Sequence, residues 1–410
     1  MASDVHATDR SDARVGLVLS GGGARGAYEV GVLRYVRERL PCTTPFHVIT
    51  GTSVGAINGA YLAATCDRPR SQMRMLQRVW SELDLDQMYR FGWGQLRSMP
   101  QVLFGKNLPR LTEGDTIGGL VDSAFIESVV RQRVPWSGIG KNLRAGHLAA
   151  FSCSATELAT GLTTVFVETR DGVMPPWPPD TGQIIVPTQI TAAHALASAA
   201  IPVLFPAVRV GEQFYVDGSL RQNTPIRPAM RLGCNRLLVV GLRHEHANDV
   251  AYERARRAAQ TVYPNAIFML GKMLNALMLD KLEADLQRIQ RTNELVHAGR
   301  ALYGADFSDQ IAGAMQGRRG RPYEEVKVSL IRPSRNLGEV AYEVMLRHRL
   351  QRYSGVMARW LKSMIEDAET VTEHDLASYV LFDPEYIGAL MQLGYDDASH
   401  HHDELVDLFT

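Results

Sequence analysis

VGLVLSGGGARGAYEVGVLRYVRERL, residues 15–40, and FHVITGTSVGAINGAYLAA, residues 46–64, decide the fold. Val15 to Leu19 is a short apolar run that breaks into three glycines, which reads as a buried strand followed by a tight loop. Helical spacing starts near Ala24 and continues through Val30, Leu33, Val36 and Leu40, until Pro41 stops it. A second apolar run, Phe46 to Thr50, enters GTSVG, and AINGAYLAA after it is helical in character. Strand, loop, helix, strand, sharp turn, helix is a βαβα opening. It predicts an α/β fold with a parallel sheet and helices on its faces.

Farther along, residues 66–145 are mixed, with a helical stretch from Met73 to Tyr89 and no chemistry that stands out. Strands are expected at Ala149–Ala155 and Leu162–Glu168, and the proline-rich run Gly172–Pro187 as a surface loop. Ala192–Ala200 is a small-residue helix closed by IPVLFP, and Phe214–Val216 is a strand running into DGSLRQNTP. Leu237–Gly241 is another buried strand. Beyond about residue 250 long helices take over, with Leu282, Leu286, Ile289 and Leu295 at helical spacing and one late strand at Val326–Ile331. The expected organisation is a disordered tail over 1–13, an α/β domain over 14–245, and a mainly helical region over 246–410 packed on it. A boundary near 245–260 leaves open whether the two parts share one core.

Basic and acidic residues number 44 each, so the formal net charge is zero, and nothing resembles the basic footprint of a nucleic-acid binder. A composition of 45% hydrophobic and 21% charged residues is that of an ordinary globular chain with a real core. Cys42, Cys66, Cys153 and Cys234 form no paired motif and read as free thiols in a reducing compartment. MASDVHATDRSDAR lacks the basic and apolar regions of a secretory signal, so a cytoplasmic location is expected, with specialised export left open. No apolar run reaches the ~20 residues that span a bilayer. The nearest, Ala266–Leu279, reads as a core helix, with a methionine-rich lid or membrane-touching surface as the alternative.

Three elements carry chemistry. Gly51-Thr52-Ser53-Val54-Gly55 is a GxSxG turn between strand and helix. Such an elbow is sterically crowded, so the positions two before and two after the serine must be small. It lifts the hydroxyl clear and places it at a helix N-terminus, whose partial positive charge favours a developing alkoxide. Gly21-Gly22-Gly23-Ala24-Arg25-Gly26 permits two uses. A dinucleotide loop expects an acidic residue about 20 residues on, where this chain has Thr50 and GTSVG. An oxyanion hole needs only bare backbone amides beside the serine, which three glycines provide. Asp217-Gly218 is a routine turn pair, but it follows a buried strand. His147, His194, His244, His246 and His297 occupy no comparable turn, and a buried carboxylate can serve a serine as base directly.

SGGGARGAYEVGVL at 20–33, GTSVGAING at 51–59 and DGS at 217–219, with ASAAIPVLFP at 197–206 and NTP at 223–225, together resemble the patatin-like phospholipases of bacterial type. The resemblance covers residues 14–245 and continues more loosely through RPSRNLG at 332–338 and LFDPEYIGALMQLGY at 381–395. It implies a three-layer fold with a mainly parallel central sheet flanked by helices, plus a helical C-terminal region. It implies a Ser53–Asp217 dyad without histidine, an oxyanion hole from Gly21, Gly22 and Gly23 assisted by Arg25, and an elbow framed by Gly51 and Gly55. The implied reaction is hydrolysis of fatty-acyl esters in a phospholipid or lysophospholipid substrate, or in neutral lipids, through an acyl-Ser53 intermediate. Contact with membrane surfaces is implied, but no metal and no cofactor. Ser20 and Ser219 depart from common family residues outside the dyad. Two other readings remain: an α/β-hydrolase with a Ser-Asp-His triad using His244 or His246, disfavoured because the elbow follows only one strand, and a non-catalytic lipid-binding protein. Oligomeric state is not legible.

Overall fold

The computed structural model describes residues 13–40, 46–89, 116–117, 121–175, 177, 182–202, 204–244, 282–314, 324–348, 350–366 and 371–410. Its strands, in chain order, are β1 (Val15–Leu19), β2 (Val48–Thr52), β3 (Thr116–Ile117), β4 (Ala150–Glu157), β5 (Thr163–Thr169), β6 (Gln183–Pro187), β7 (Ala207–Val210), β8 (Gln213–Asp217), β9 (Arg236–Val240) and β10 (Lys327–Ile331). They form one sheet in the order β10-β9-β1-β2-β4-β8-β7-β3, with β5 paired to β4 and β6 to β5. From β10 to β4 all neighbours run parallel; β8, β7 and β3 continue antiparallel.

Helices cover both faces, which is why β1 is apolar at nearly every position. Leu17 and Leu19 point into a core shared with helices α1 (Gly26–Arg39) and α2 (Val54–Thr65). Val18 points the other way, into a core shared with Ile226 and Ala229 and with Leu282 and Ile289 of the long helix Leu282–Tyr303. The chain therefore has the expected mainly parallel sheet between two helical layers. The C-terminal part adds strand β10 to the sheet edge and packs helix Pro384–His400 along α1, so it shares the sheet and core. Tyr28 Oη donates to Asp397 Oδ2 at 2.8 Å across that interface, and Asp397 also accepts from the Ser334 amide at 3.0 Å.

Two expectations need correction in detail. Gly23–Arg25 is a single 3-10 turn and α1 starts at Gly26, two residues later than the apolar spacing indicates. Within the proline-rich run expected as a loop, Gln183–Pro187 adds to the sheet as β6, because its Ile184, Ile185 and Val186 pair in parallel with the free edge of β5. Ala266–Leu279 lies outside the described residues, as does Cys42. Cys66, Cys153 and Cys234 are free thiols. Among the described residues no helix is long and apolar enough to cross a membrane.

Removing the Tyr28 hydroxyl leaves the buried Asp397 carboxylate short of a donor. Tyr28→Phe is expected to lower the free energy of unfolding by about 1–3 kcal/mol, read from urea denaturation.

Candidate active site

Strand β4 is eight residues long, and β2 covers only its first part, pairing Val48–Thr52 with Ala150–Ser154. Strand β8 pairs antiparallel with the remainder of that edge, setting Asp217 opposite Ala155 and Tyr215 opposite Glu157. The C-terminal ends of β2 and β8 therefore meet head-on, and Ser53 and Asp217 are the residues at the meeting point. Ser53 Oγ donates to Asp217 Oδ2 at 2.6 Å, with Ser53 3% and Asp217 0% exposed.

Ser53 has φ 54° and ψ −126°, a conformation that costs a non-glycine residue roughly 1–3 kcal/mol. Two features hold it there. A β-carbon on Gly51 would lie 2.2 Å from the Gly55 carbonyl oxygen, so the turn closes only with glycine. The Ser53 amide donates to Ser198 Oγ at 2.8 Å, and Ser198 Oγ donates to the Ser154 carbonyl at 2.6 Å. Ser198 thus bridges the elbow to the buried Ser154 carbonyl where β2 gives way to β8.

Burial pushes the Asp217 carboxyl up from its ordinary value to about 6, against hydrogen bonds from Ser53 and from Ser219 that favour the ionised form. The Ser219 amide donates to Asp217 Oδ1 at 2.8 Å, so each carboxylate oxygen has a donor. The rest of DGSLRQNTP runs across the ends of β1 and β2. Thr52 Oγ1 donates to the Gln222 carbonyl at 3.0 Å, the Gly21 amide donates to the Asn223 carbonyl at 3.1 Å, and the Ser20 and Thr224 hydroxyls lie 2.7 Å apart. This stitching brings the glycine loop to the serine: a β-carbon on Gly21 would sit 3.1 Å from Ser53 Cβ.

Arg25 points elsewhere. Its Nε donates to Ser378 Oγ at 2.7 Å, Nη2 to the Asp375 carbonyl at 3.0 Å and to its carboxylate, and Nη1 to the Leu242 carbonyl at 3.5 Å. The guanidinium stacks 3.8 Å from the Tyr379 ring centre. It anchors the glycine loop to helix Val371–Val380 and is not directed at Ser53. Beside the serine opens an apolar cavity of about 80 Å³, lined by Ile57, Leu76, Trp80, Met88, Val130 and Phe205 among others.

A family described as patatin-like phospholipase matches residues 17–230, more than half of the chain. The chain belongs to the patatin-like phospholipase family. Patatin-like phospholipase domain-containing protein 7 of Rattus norvegicus is 46% identical over 68 residues, 17% of this chain and 5% of that protein. The cGAMP-activated phospholipase of Pseudomonas aeruginosa is 29% identical over 212 residues, 51% of this chain and 53% of that protein. The matches thus span at most about half the length of these relatives. A superposition on VipD from Legionella pneumophila has a TM-score of 0.30 at 11% identity, covering 92% of this chain and 91% of that one.

Three of the candidate histidines have partners other than Ser53. His194 is buried with its Nδ1 at the Thr191 amide and hydroxyl, and burial pushes its pKa down to about 4. His244 Nδ1 lies 2.8 Å from the Pro333 carbonyl, and His297 pairs with Glu325 at the surface. His246 lies outside the described residues. Sequence reasoning did not single out Ser198, although it lies within the quoted ASAAIPVLFP, nor the cavity wall, whose Leu76, Trp80 and Met88 carry no motif.

A carboxyl whose folded pKa exceeds its ordinary value of 3.8 favours folding most while protonated, and that contribution is lost as pH rises through about 6. Asp217→Asn keeps an acceptor for the Ser219 amide and removes the buried charge. The variant is expected to be more stable than the parent above pH ~6, by about 3 kcal/mol, with the gap closing toward pH ~4. Thermal unfolding at several pH values reads this directly.

Proposed function

We propose that this chain is a lipid acyl hydrolase that cleaves carboxylic esters of a phospholipid or lysophospholipid with Ser53 as nucleophile and Asp217 as base. The observation that carries the proposal is the 2.6 Å hydrogen bond from Ser53 Oγ to a buried Asp217 carboxylate at a strained strand–helix elbow. Family membership and the apolar cavity beside the serine support a lipid substrate.

In the first half-reaction Ser53 Oγ attacks the ester carbonyl carbon as Asp217 Oδ2 takes its proton. Charge develops on the carbonyl oxygen, and the amides of the glycine loop stabilise it. The Gly21 amide is already bound to Asn223, so this role falls to Gly22 and Gly23, with the N-terminus of α2 adding a favourable dipole. As the intermediate collapses, Asp217 gives its proton to the leaving alcohol and the acyl group stays on Ser53. Water then attacks the acyl-serine while Asp217 accepts its proton, and collapse returns that proton to Ser53. Arg25 contributes by holding the loop in place. The reaction suits a carboxylate base because Asp217 is ionised at neutral pH yet poised closer to it than an ordinary aspartate.

Ser53→Ala and Asp217→Asn are expected to lower kcat/KM on a phospholipid and on a short acyl ester by on the order of a hundredfold or more. A fluorophosphonate should label the parent at residue 53 and fail to label Ser53→Ala. For the parent, kcat/KM should rise with pH and level off above about 6, as Asp217 ionises. His244→Ala and His246→Ala should leave turnover nearly intact. Full activity in Asp217→Asn, or its abolition by either histidine change, would contradict the dyad.

A further inference from the structure

The cavity beside Ser53 is built from two parts of the chain. Val54, Ile57, Trp80 and Phe205 fall inside the family match at 17–230, whereas Tyr379 and Phe382 come from beyond it. Four rings form one continuous wall. Trp80 and Phe382 are near-parallel with centroids 6.3 Å apart, Tyr89 tilts against Phe382 at 6.2 Å, and Tyr89 stacks on Phe205 at 6.2 Å. Phe382 is the member that joins Trp80 to Tyr89.

The segment that carries Phe382 is pinned on both sides. Upstream, Arg25 stacks on Tyr379 and donates to Ser378 and Asp375, while Gly23 abuts the Tyr379 carbonyl so closely that a β-carbon would lie 2.3 Å from it. Downstream, Asp383 caps helix Pro384–His400 by accepting from the amides of Glu385 and Tyr386, and it also accepts from Tyr353 Oη at 2.9 Å and from Arg352. The backbone that carries Phe382 therefore cannot shift without breaking polar contacts at one end or the other. At about 80 Å³ the cavity is small. An engineered core cavity of ~150 Å³ is filled by a benzene molecule, so this space holds part of one slim chain and excludes a second.

We propose that Phe382, acting with Trp80, Tyr89 and Phe205, gauges the acyl chain delivered to Ser53, so that a segment outside the family match sets the chain-length preference. The gauge rests on the acyl-transfer reading given above. A fixed aromatic wall discriminates because each methylene that fails to fit loses its burial and strains its neighbours. Truncating a ring opens room that longer chains fill and shorter chains do not need.

The test uses the full chain with the nitrophenyl esters of butanoate, octanoate and hexadecanoate, comparing the parent with Phe382→Ala and Phe205→Ala. In both variants the ratio of kcat/KM for hexadecanoate to that for butanoate should rise by about tenfold or more. Phe382→Trp should move the ratio the other way, and Phe382→Leu serves if thermal unfolding shows that Phe382→Ala does not fold. A ratio unchanged within about twofold in folded variants, or a parallel fall for all three esters, overturns the gauge while leaving the Ser53 reading intact. Absence of hydrolysis of every ester by the parent overturns the acyl-transfer reading and the gauge with it.

Discussion

Strand β4 is longer than its neighbour β2, and the edge that β2 leaves uncovered is taken by β8 from the opposite direction. Backbone hydrogen bonding thereby places the ends of two distant strands at adjacent positions along one edge. The side chains there are a hydroxyl and a carboxylate. Because successive residues of a strand face opposite sides, a slip of β8 by one residue would turn Asp217 away from Ser53. Ser198 reinforces the junction by joining the Ser53 amide to the Ser154 carbonyl where the two strands meet.

This junction stores unfavourable terms. Ser53 holds a strained backbone, and Asp217 holds a carboxylate in a dry setting. Each costs on the order of a few kcal/mol. Burying one Leu, Ile or Val side chain contributes about 1.5–3 kcal/mol, so a few residues such as Leu17, Leu19 and Ile49, all essentially buried, offset that cost. The two-sided covering of the sheet is what makes a strained, desolvated pair tolerable at its edge.

The region beyond the family match is part of the same construction. It extends the sheet through β10, packs along α1, and holds the glycine loop through Arg25. A loop whose glycines give little stiffness of their own acquires its position from a helix more than three hundred residues away in sequence. The glycine loop and the cavity wall therefore share one support, the segment around Ser378 to Asp383.

The βαβα opening, the serine elbow and the aspartate turn were legible in the chain because each is written in local terms. Apolar runs mark buried strands, and small residues mark a turn that a β-carbon would block. The added strand β6, the place of Ser198, the direction of Arg25 and the residues around the cavity were not legible. Ile184 to Val186 form a strand only because β5 offers a free edge, and Leu76 and Trp80 of one helix join Phe382 of a distant interhelical link in one wall only when the two segments pack together. The amino-acid sequence by itself determined the kind of sheet and the residue types that can do chemistry, since periodicity and steric demand act within a few residues. Only the tertiary structure decided that Ser53 meets Asp217 and what surrounds them, since pairing register and packing depend on contacts between parts of the chain that share no local signal.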